Sequence, residues 1–206
     1  MAATYDRASA DIGNILALEH INVTIPDQRP ATAFYIAGMG FTRDPYVQVE
    51  LRNMWVNIGR SQCHLPNGSA QILRGTIGIV VPDLGQLAQR LEKVTPWLKD
   101  TKFAFKAHAD RVEATCPWGN RFRCHAPSPE YGPIDLGMPY VEFEVPRGTT
   151  GGIARFYRDV LDATAVIEQR GGDAVAILAF ANRLPLRLQC GVVRRNKRSD
   201  GIGHIQ

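Results

Sequence analysis

The sequence predicts an α+β fold built from tandem βαβββ units, and three observations predict it. Three segments, LEHINVTIPD (18–27), RGTIGIVVPD (74–83) and MPYVEFEVPR (138–147), alternate apolar and polar residues and then reach Pro26, Pro82 and Pro146. A helix candidate follows each segment, and three short strand candidates follow each helix. A Cys-His-x-Pro is also written twice, in SQCHLP (61–66) and FRCHAP (122–127), at the fourth strand of the first and second units. Gln189-Cys190-Gly191 holds that place in the third.

The opening strands come first in the argument. Successive strand side chains point to opposite faces, so Ile21, Val23 and Ile25 oppose His20, Asn22 and Thr24. Likewise Ile77, Ile79 and Val81 oppose Thr76, Gly78 and Val80, and Val141, Phe143 and Val145 oppose Tyr140, Glu142 and Glu144. The helices come next. Residues 31–39 and 151–163 share a Phe-Tyr pair, Phe34-Tyr35 and Phe156-Tyr157, while 84–94 carries Leu84, Leu87, Leu91 and Val94 as one apolar stripe. The remaining strands are expected at roughly 42–50, 53–58 and 60–65, then 103–108, 111–115 and 121–126, then 164–169, 174–180 and 183–190, with CPWGN (116–120) as a hairpin turn. Adjacent residues of a regular strand cannot both reach one ion, which disfavours a zinc site made from either Cys-His pair.

The expected organisation is an N-terminal extension (1–17), a two-unit domain (18–130, with units 18–66 and 74–127), a third unit (138–191), and a basic loop with the start of an incomplete fourth unit (192–206). In that last stretch GHIQ puts His204 at the His20 position. Units one and two are expected to share a sheet. Unit three then has an open strand edge, which a second copy would fill as a homodimer through the third unit.

Composition excludes several function classes. The net charge of +4 is matched by one local run, Arg194, Arg195, Lys197 and Arg198, with no aromatics interleaved along an element. This reads as a solvated loop and predicts no nucleic-acid partner. No stretch approaches the roughly 18 apolar residues of a membrane span, so no membrane partner and a cytoplasmic location are expected. Cys63, Cys116, Cys124 and Cys190 form no CxxC pair and are expected as reduced, buried thiols.

Parity also lists a polar face. His20, Asn22, Thr24, Gln62, His64, Thr76, Arg123 and His125 lie opposite the helix-packing residues, with Glu142 on the corresponding face of unit three. Such a face is costly to bury dry and should line a wet pocket.

These residues, in this order, resemble the vicinal oxygen chelate superfamily, the glyoxalase, bleomycin-resistance and extradiol-dioxygenase group. The matching features are EHINVTIPD with its AFY helix, GTIGIVVPDL with an amphipathic helix, and the hairpin PWGNRFRCHAP, spanning roughly 18–190. The resemblance implies two units paired into a cupped, barrel-like mixed sheet with helices outside and a small organic ligand in the cup. The family's metal ligands come from first and fourth strands, here His20 and Gln62, Thr76 and Arg123. Of these only His20 is a good ligand type, and Arg123, with no lone pair to offer, replaces the expected carboxylate. His20, His64 and His125 form an alternative metal set, suited to Zn or Fe, with Mn and Ni as further candidates. Two functions follow. One is a metal-dependent lyase, isomerase or ring-cleaving dioxygenase. The other is a metal-free protein that binds or sequesters a small ligand, with Arg123 gripping its negative group and Asn22, Gln62, Thr76 and Glu142 as further substrate contacts.

Overall fold

The structure, a computed structural model, describes residues 19–46 and 52–179 together with the backbone of a last strand, Arg187–Val192. Arg194, Arg195, Lys197, Arg198, His204 and the expected fourth unit lie outside the described residues.

Unit one runs β1 (His20–Asn22), α1 (Gln28–Ala31, continuing as a π-helical stretch over Thr32–Gly38), β2 (Thr42–Arg43), β3 (Asn53–Ile58) and β4 (Ser61–Pro66). Unit two runs β5 (Gly75–Val80), α2 (Leu84–Leu98), β6 (Ala104–Ala107), β7 (Arg111–Thr115) and β8 (Arg121–His125). Unit three runs β9 (Gly137–Val145), α3 (Thr150–Leu161), β10 (Thr164–Arg170), β11 (Asp173–Ala179) and β12 (Arg187–Val192). The βαβββ order expected from the repeat is present three times.

The Pro-Asp pairs explain the sharp change from strand to helix. Proline fixes φ and removes a donor, ending the ladder. The following aspartate then caps the helix: Asp27 accepts from the Arg29 N–H at 2.8 Å and Asp83 from the Gln86 N–H at 2.9 Å. Unit three has Arg147 in that place, and Thr149, at its helix N-cap, makes no side-chain cap bond.

Within every unit the first strand pairs in parallel with the fourth, and the order is first, fourth, third, second. The joining of units differs from the sequence expectation. Units two and three, not one and two, share a sheet, because β5 pairs antiparallel with β9 to give an eight-stranded sheet, while unit one forms a four-stranded sheet of its own. Local chemistry accounts for this. β5 (GTIGIV) is buried along its whole length and presents small residues to β9, whereas β1 has only three residues, two of them exposed. The expected reason for a dimer through unit three, an unpaired first strand, therefore does not hold. Of the three first strands, β1 is the one that lies at a sheet edge among the described residues.

Units one and two are joined through their helices. Gly38 of α1 lies against Leu91 and Val94 of α2, and Phe34 packs on Phe103 and Phe122 of unit two at centroid distances of 6.0 and 5.6 Å. One core runs through both units, whereas unit three has a small core of its own centred on Ala154, Ala163, Ala176 and Leu178.

The close approach of β5 and β9 gives a first prediction. A Cβ on Gly75 would press directly on the Glu142 carbonyl oxygen. Gly75→Ala is expected to destabilise the fold by about 1–3 kcal/mol through overpacking, read as a lower urea midpoint with an unchanged slope.

Candidate functional site

The polar face of the eight-stranded sheet is set by register. Lys106 lies opposite Glu113, Glu113 opposite Arg123, Arg123 opposite Gly78, and Gly78 opposite Tyr140, so one row crosses β6, β7, β8, β5 and β9. Their strand neighbours Val112, Ala114, Phe122, Cys124, Ile77 and Ile79 are buried on the helix side. A hollow of about 310 Å³ lies on the unit-two half of this face, with Thr76, Lys106, Glu113, Thr115, Arg121 and Arg123 in its lining.

Arg121 donates to the Gly75 carbonyl at 3.0 Å and pairs with Glu144. Arg123 donates from Nη1 to Glu142 at 3.3 Å, and its charge acts on the nearby Tyr140 hydroxyl. Glu113 is held by Arg111 at 2.9 Å and lies 3.4 Å from His108 Nε2. Lys106 makes no ion pair among the described residues.

Beside Arg123 lies an aromatic group. His125 Nε2 is 2.9 Å from the Tyr140 hydroxyl, and Tyr131 packs against the His125 ring at 4.8 Å. The Tyr140 ring lies over Gly78, where any Cβ would meet it, which is why this strand position is glycine. The Arg123 cation beside the Tyr140 oxygen favours a hydroxyl proton turned away from it toward His125 Nε2, which keeps the histidine proton on Nδ1. Burial, and then the nearby Arg123 charge, push the His125 pKa down. Burial pushes Tyr140 up to about 12 against the opposing pull of Arg123.

A pH dependence follows. With its folded pKa below the unfolded value near 6.5, His125 binds fewer protons when folded. Its contribution to stability is thus fully present above about pH 7 and is lost as pH falls toward the folded pKa. His64, pushed down by burial and then by His20, acts in the same direction. Wild type is expected to lose more unfolding free energy between pH 7.5 and 5.5 than His125→Asn, as measured by urea titration at both pH values.

The other expected site residues lie on unit one. His20 pairs with Glu19, the Trp55 ring lies between His20 at 5.1 Å and His64 at 4.1 Å, and Asn22 is exposed opposite His64 in register. Gln62 is tied to Asp44 and Asn57 at 2.9 and 2.6 Å. Within each sheet the parity expectation holds, but the set divides. His20, Asn22, Gln62 and His64 lie on the four-stranded sheet, whereas Thr76, Arg123, His125 and Glu142 lie on the eight-stranded one.

The three-histidine metal set is therefore not assembled, because the units that carry it do not share a sheet. Among the described residues no three His, Cys, Asp or Glu side chains are grouped to hold a metal ion. His20 and His64 alone fall short of the three protein ligands typical of a catalytic zinc, and on the shared sheet a guanidinium occupies the fourth-strand position. These residues do not fit the Fe, Zn, Mn or Ni centre that the resemblance implies. Sequence reasoning did not single out Tyr140, Arg121 or Lys106. The signal for Tyr140 was the glycine at 78, readable only once β5 and β9 are known to pair.

No family model matches this sequence, and no curated protein matches it in sequence. Among solved structures, a glyoxalase I mutant from Zea mays matches with a TM-score of 0.59 at 16% identity, and a second mutant of it with 0.57 at 14%. A Bacillus subtilis protein assigned as a dioxygenase matches with 0.51 at 14%. Each match covers 85% of this chain, which spans only 66% of the Bacillus subtilis structure and 66% and 67% of the two maize ones. The chain shares the mixed α+β fold of these glyoxalase and dioxygenase structures. Among the described residues no helix is long and apolar enough to cross a membrane.

Proposed function

We propose that this chain binds a small organic anion in the hollow of the shared sheet, with Arg123 as its anchor and no metal required. The observation that carries this reading is the placement of Arg123. Its guanidinium lines the hollow, with Arg121 and Lys106 as further cations and Thr76 and Thr115 as hydroxyl contacts. Glu142 orients one side of the guanidinium while a planar five-donor group retains donors for a carboxylate. Glu142 thus positions the anchor and Thr76 lines the hollow, whereas Asn22 and Gln62 belong to the other sheet and take no part.

The binding or sequestering reading fits this donor set better than the metal-dependent lyase, isomerase or dioxygenase reading, which needs ligands the site does not bring together. The test is a titration of protein purified without added metal, using pyruvate, benzoate and inorganic phosphate, followed by amide NMR. Saturable shifts at Thr76, Thr115 and Arg123 with a Kd of about 1 mM or below are expected. Absence of binding by all three, or binding only after a divalent metal is added, would overturn the reading.

A further inference from the structure

We infer that unit three carries an interface for a second copy of this chain: α3 and the helix side of β9 form a self-complementary apolar face on which two copies dock with twofold symmetry. The contact between units one and two, inside a single chain, is the template for it.

In that contact a helix knob from one unit fills a seat on the next. α2 packs on β6 and β7, and the helix of unit one lies beside it, with the Phe34 and Tyr35 rings 5.6 and 5.9 Å from Phe122 of β8. Knob and seat are both dry, since Phe34, Tyr35, Phe122 and Ile79 of β5 are all buried in the core common to the two units. Unit three repeats both halves and covers neither. Phe156-Tyr157 stands where unit one has Phe34-Tyr35, and Phe156 is 52% exposed. Phe143 of β9 stands where β5 has Ile79, and it is 37% exposed. Phe143 shares the α3 side of the sheet, because Val145, two residues along the same strand, packs into the small core beneath α3. Val160, one turn along α3 from Phe156, extends the exposed apolar stripe. Ile167 widens it from β10, where it lies opposite buried Ala176 and therefore on the helix side, half exposed.

A second copy fits this face because one unit holds both knob and seat. The α3 of each copy seats on β9 of the other, so every contact occurs twice, which is the condition for an isologous interface. A clustered, exposed apolar surface of this kind marks a protein contact. The charges do not oppose it: α3 and its cap carry Arg155 and Arg158 against Asp159 and Asp162, so two copies meet without net repulsion. The docking uses no strand edge, and so does not need the unpaired first strand that the sequence suggested. A face centred on one helix about 18 Å long lies at the small end of specific interfaces, and the dimer is expected to be reversible, with a Kd of about 10 µM.

The experiment is sedimentation velocity on the full chain from about 1 to about 500 µM, where the mass is expected to rise from one chain to two with a midpoint near the Kd of about 10 µM. Phe156→Glu and Phe143→Thr should each weaken association by about tenfold or more. Val166→Glu should leave it unchanged, since Val166 alternates with Ile167 and points to the other side of the sheet. In an equal mixture of carbon-13-labelled and unlabelled wild type, isotope-filtered NOEs are expected between Phe156 of one chain and Phe143 of the other. Urea midpoints at about 1 µM, below the Kd, should match wild type for both phenylalanine variants if each folds normally. Should either variant unfold, the NOEs on wild type decide alone. A chain that stays single throughout, a dimer that survives both phenylalanine variants or is abolished by Val166→Glu, or a dimer without these NOEs between chains overturns the inference.

Discussion

Phe34→Ala is expected to cost about 3–5 kcal/mol of stability, while Phe156→Ala, at the equivalent place in unit three, should cost about 1 kcal/mol or less. The two residues open the same Phe-Tyr pair of the repeat, so sequence alone assigns them equal weight. The structure separates them. Phe34 is fully buried and makes edge contacts with Tyr35 at 4.9 Å and Phe103 at 6.0 Å and a tilted contact with Phe122 at 5.6 Å. It joins the helix of unit one to the strands of unit two, and removing its ring leaves a cavity bordered by rigid aromatics that cannot collapse into it. Phe156 is 52% exposed and touches only its neighbour Tyr157 at 5.5 Å among the described aromatic contacts. Urea unfolding of the two variants beside wild type gives the comparison. Equal losses would mean that unit three is packed as units one and two are, contrary to its small alanine-rich core.

The same contrast shows what the sequence could carry. Strand parity was readable because the buried and polar residues alternate strictly: Phe122 and Cys124 are buried while Arg121, Arg123 and His125 face the other way. The second helix starts at Leu84 as expected, whereas the first starts at Gln28 rather than 31, because Asp27 after Pro26 caps it three residues earlier. The end of α2 was not readable, since Pro96 interrupts the expected pattern near Val94, yet Leu98 beyond it is 1% exposed and holds the last turn against the core. What lay beyond reach was which unit pairs with which. Parity says where a side chain points relative to its own sheet, but a three-unit repeat allows more than one joining of sheets. That choice depends on how closely two backbones approach, here through Gly75 and Gly78. His20 and His125 were each placed correctly on their own strands and still assigned to a common metal set, because a long-range pairing, not a local pattern, decides whether they meet.

Arg123→Gln carries the second large expectation, a loss of about ten- to hundredfold in affinity for a carboxylate ligand. A hydrogen bond to a charged group contributes about 1.5–3 kcal/mol, and each 1.4 kcal/mol is about tenfold in Kd. Glutamine keeps a polar, hydrogen-bonding head near Glu142 and Tyr140 but removes the charge and the planar fork that grips two carboxylate oxygens. The fold itself should lose little, about 1 kcal/mol or less, since the Arg123–Glu142 pair is partly exposed and at 3.3 Å is a modest one. A second readout separates this from simple damage to the site. The Arg123 charge is one of the influences that push the His125 pKa down, after burial. Replacing it should therefore raise the His125 pKa, measured by NMR titration of the imidazole, while Tyr140, losing the cation that pulls it down, should rise further. Weaker binding with both shifts in these directions places the cation between the ligand and the His125–Tyr140 pair. Weaker binding with an unmoved His125 would mean that Arg123 contacts the ligand without reaching the histidine, and the electrostatic link between the hollow and His125 would have to be abandoned.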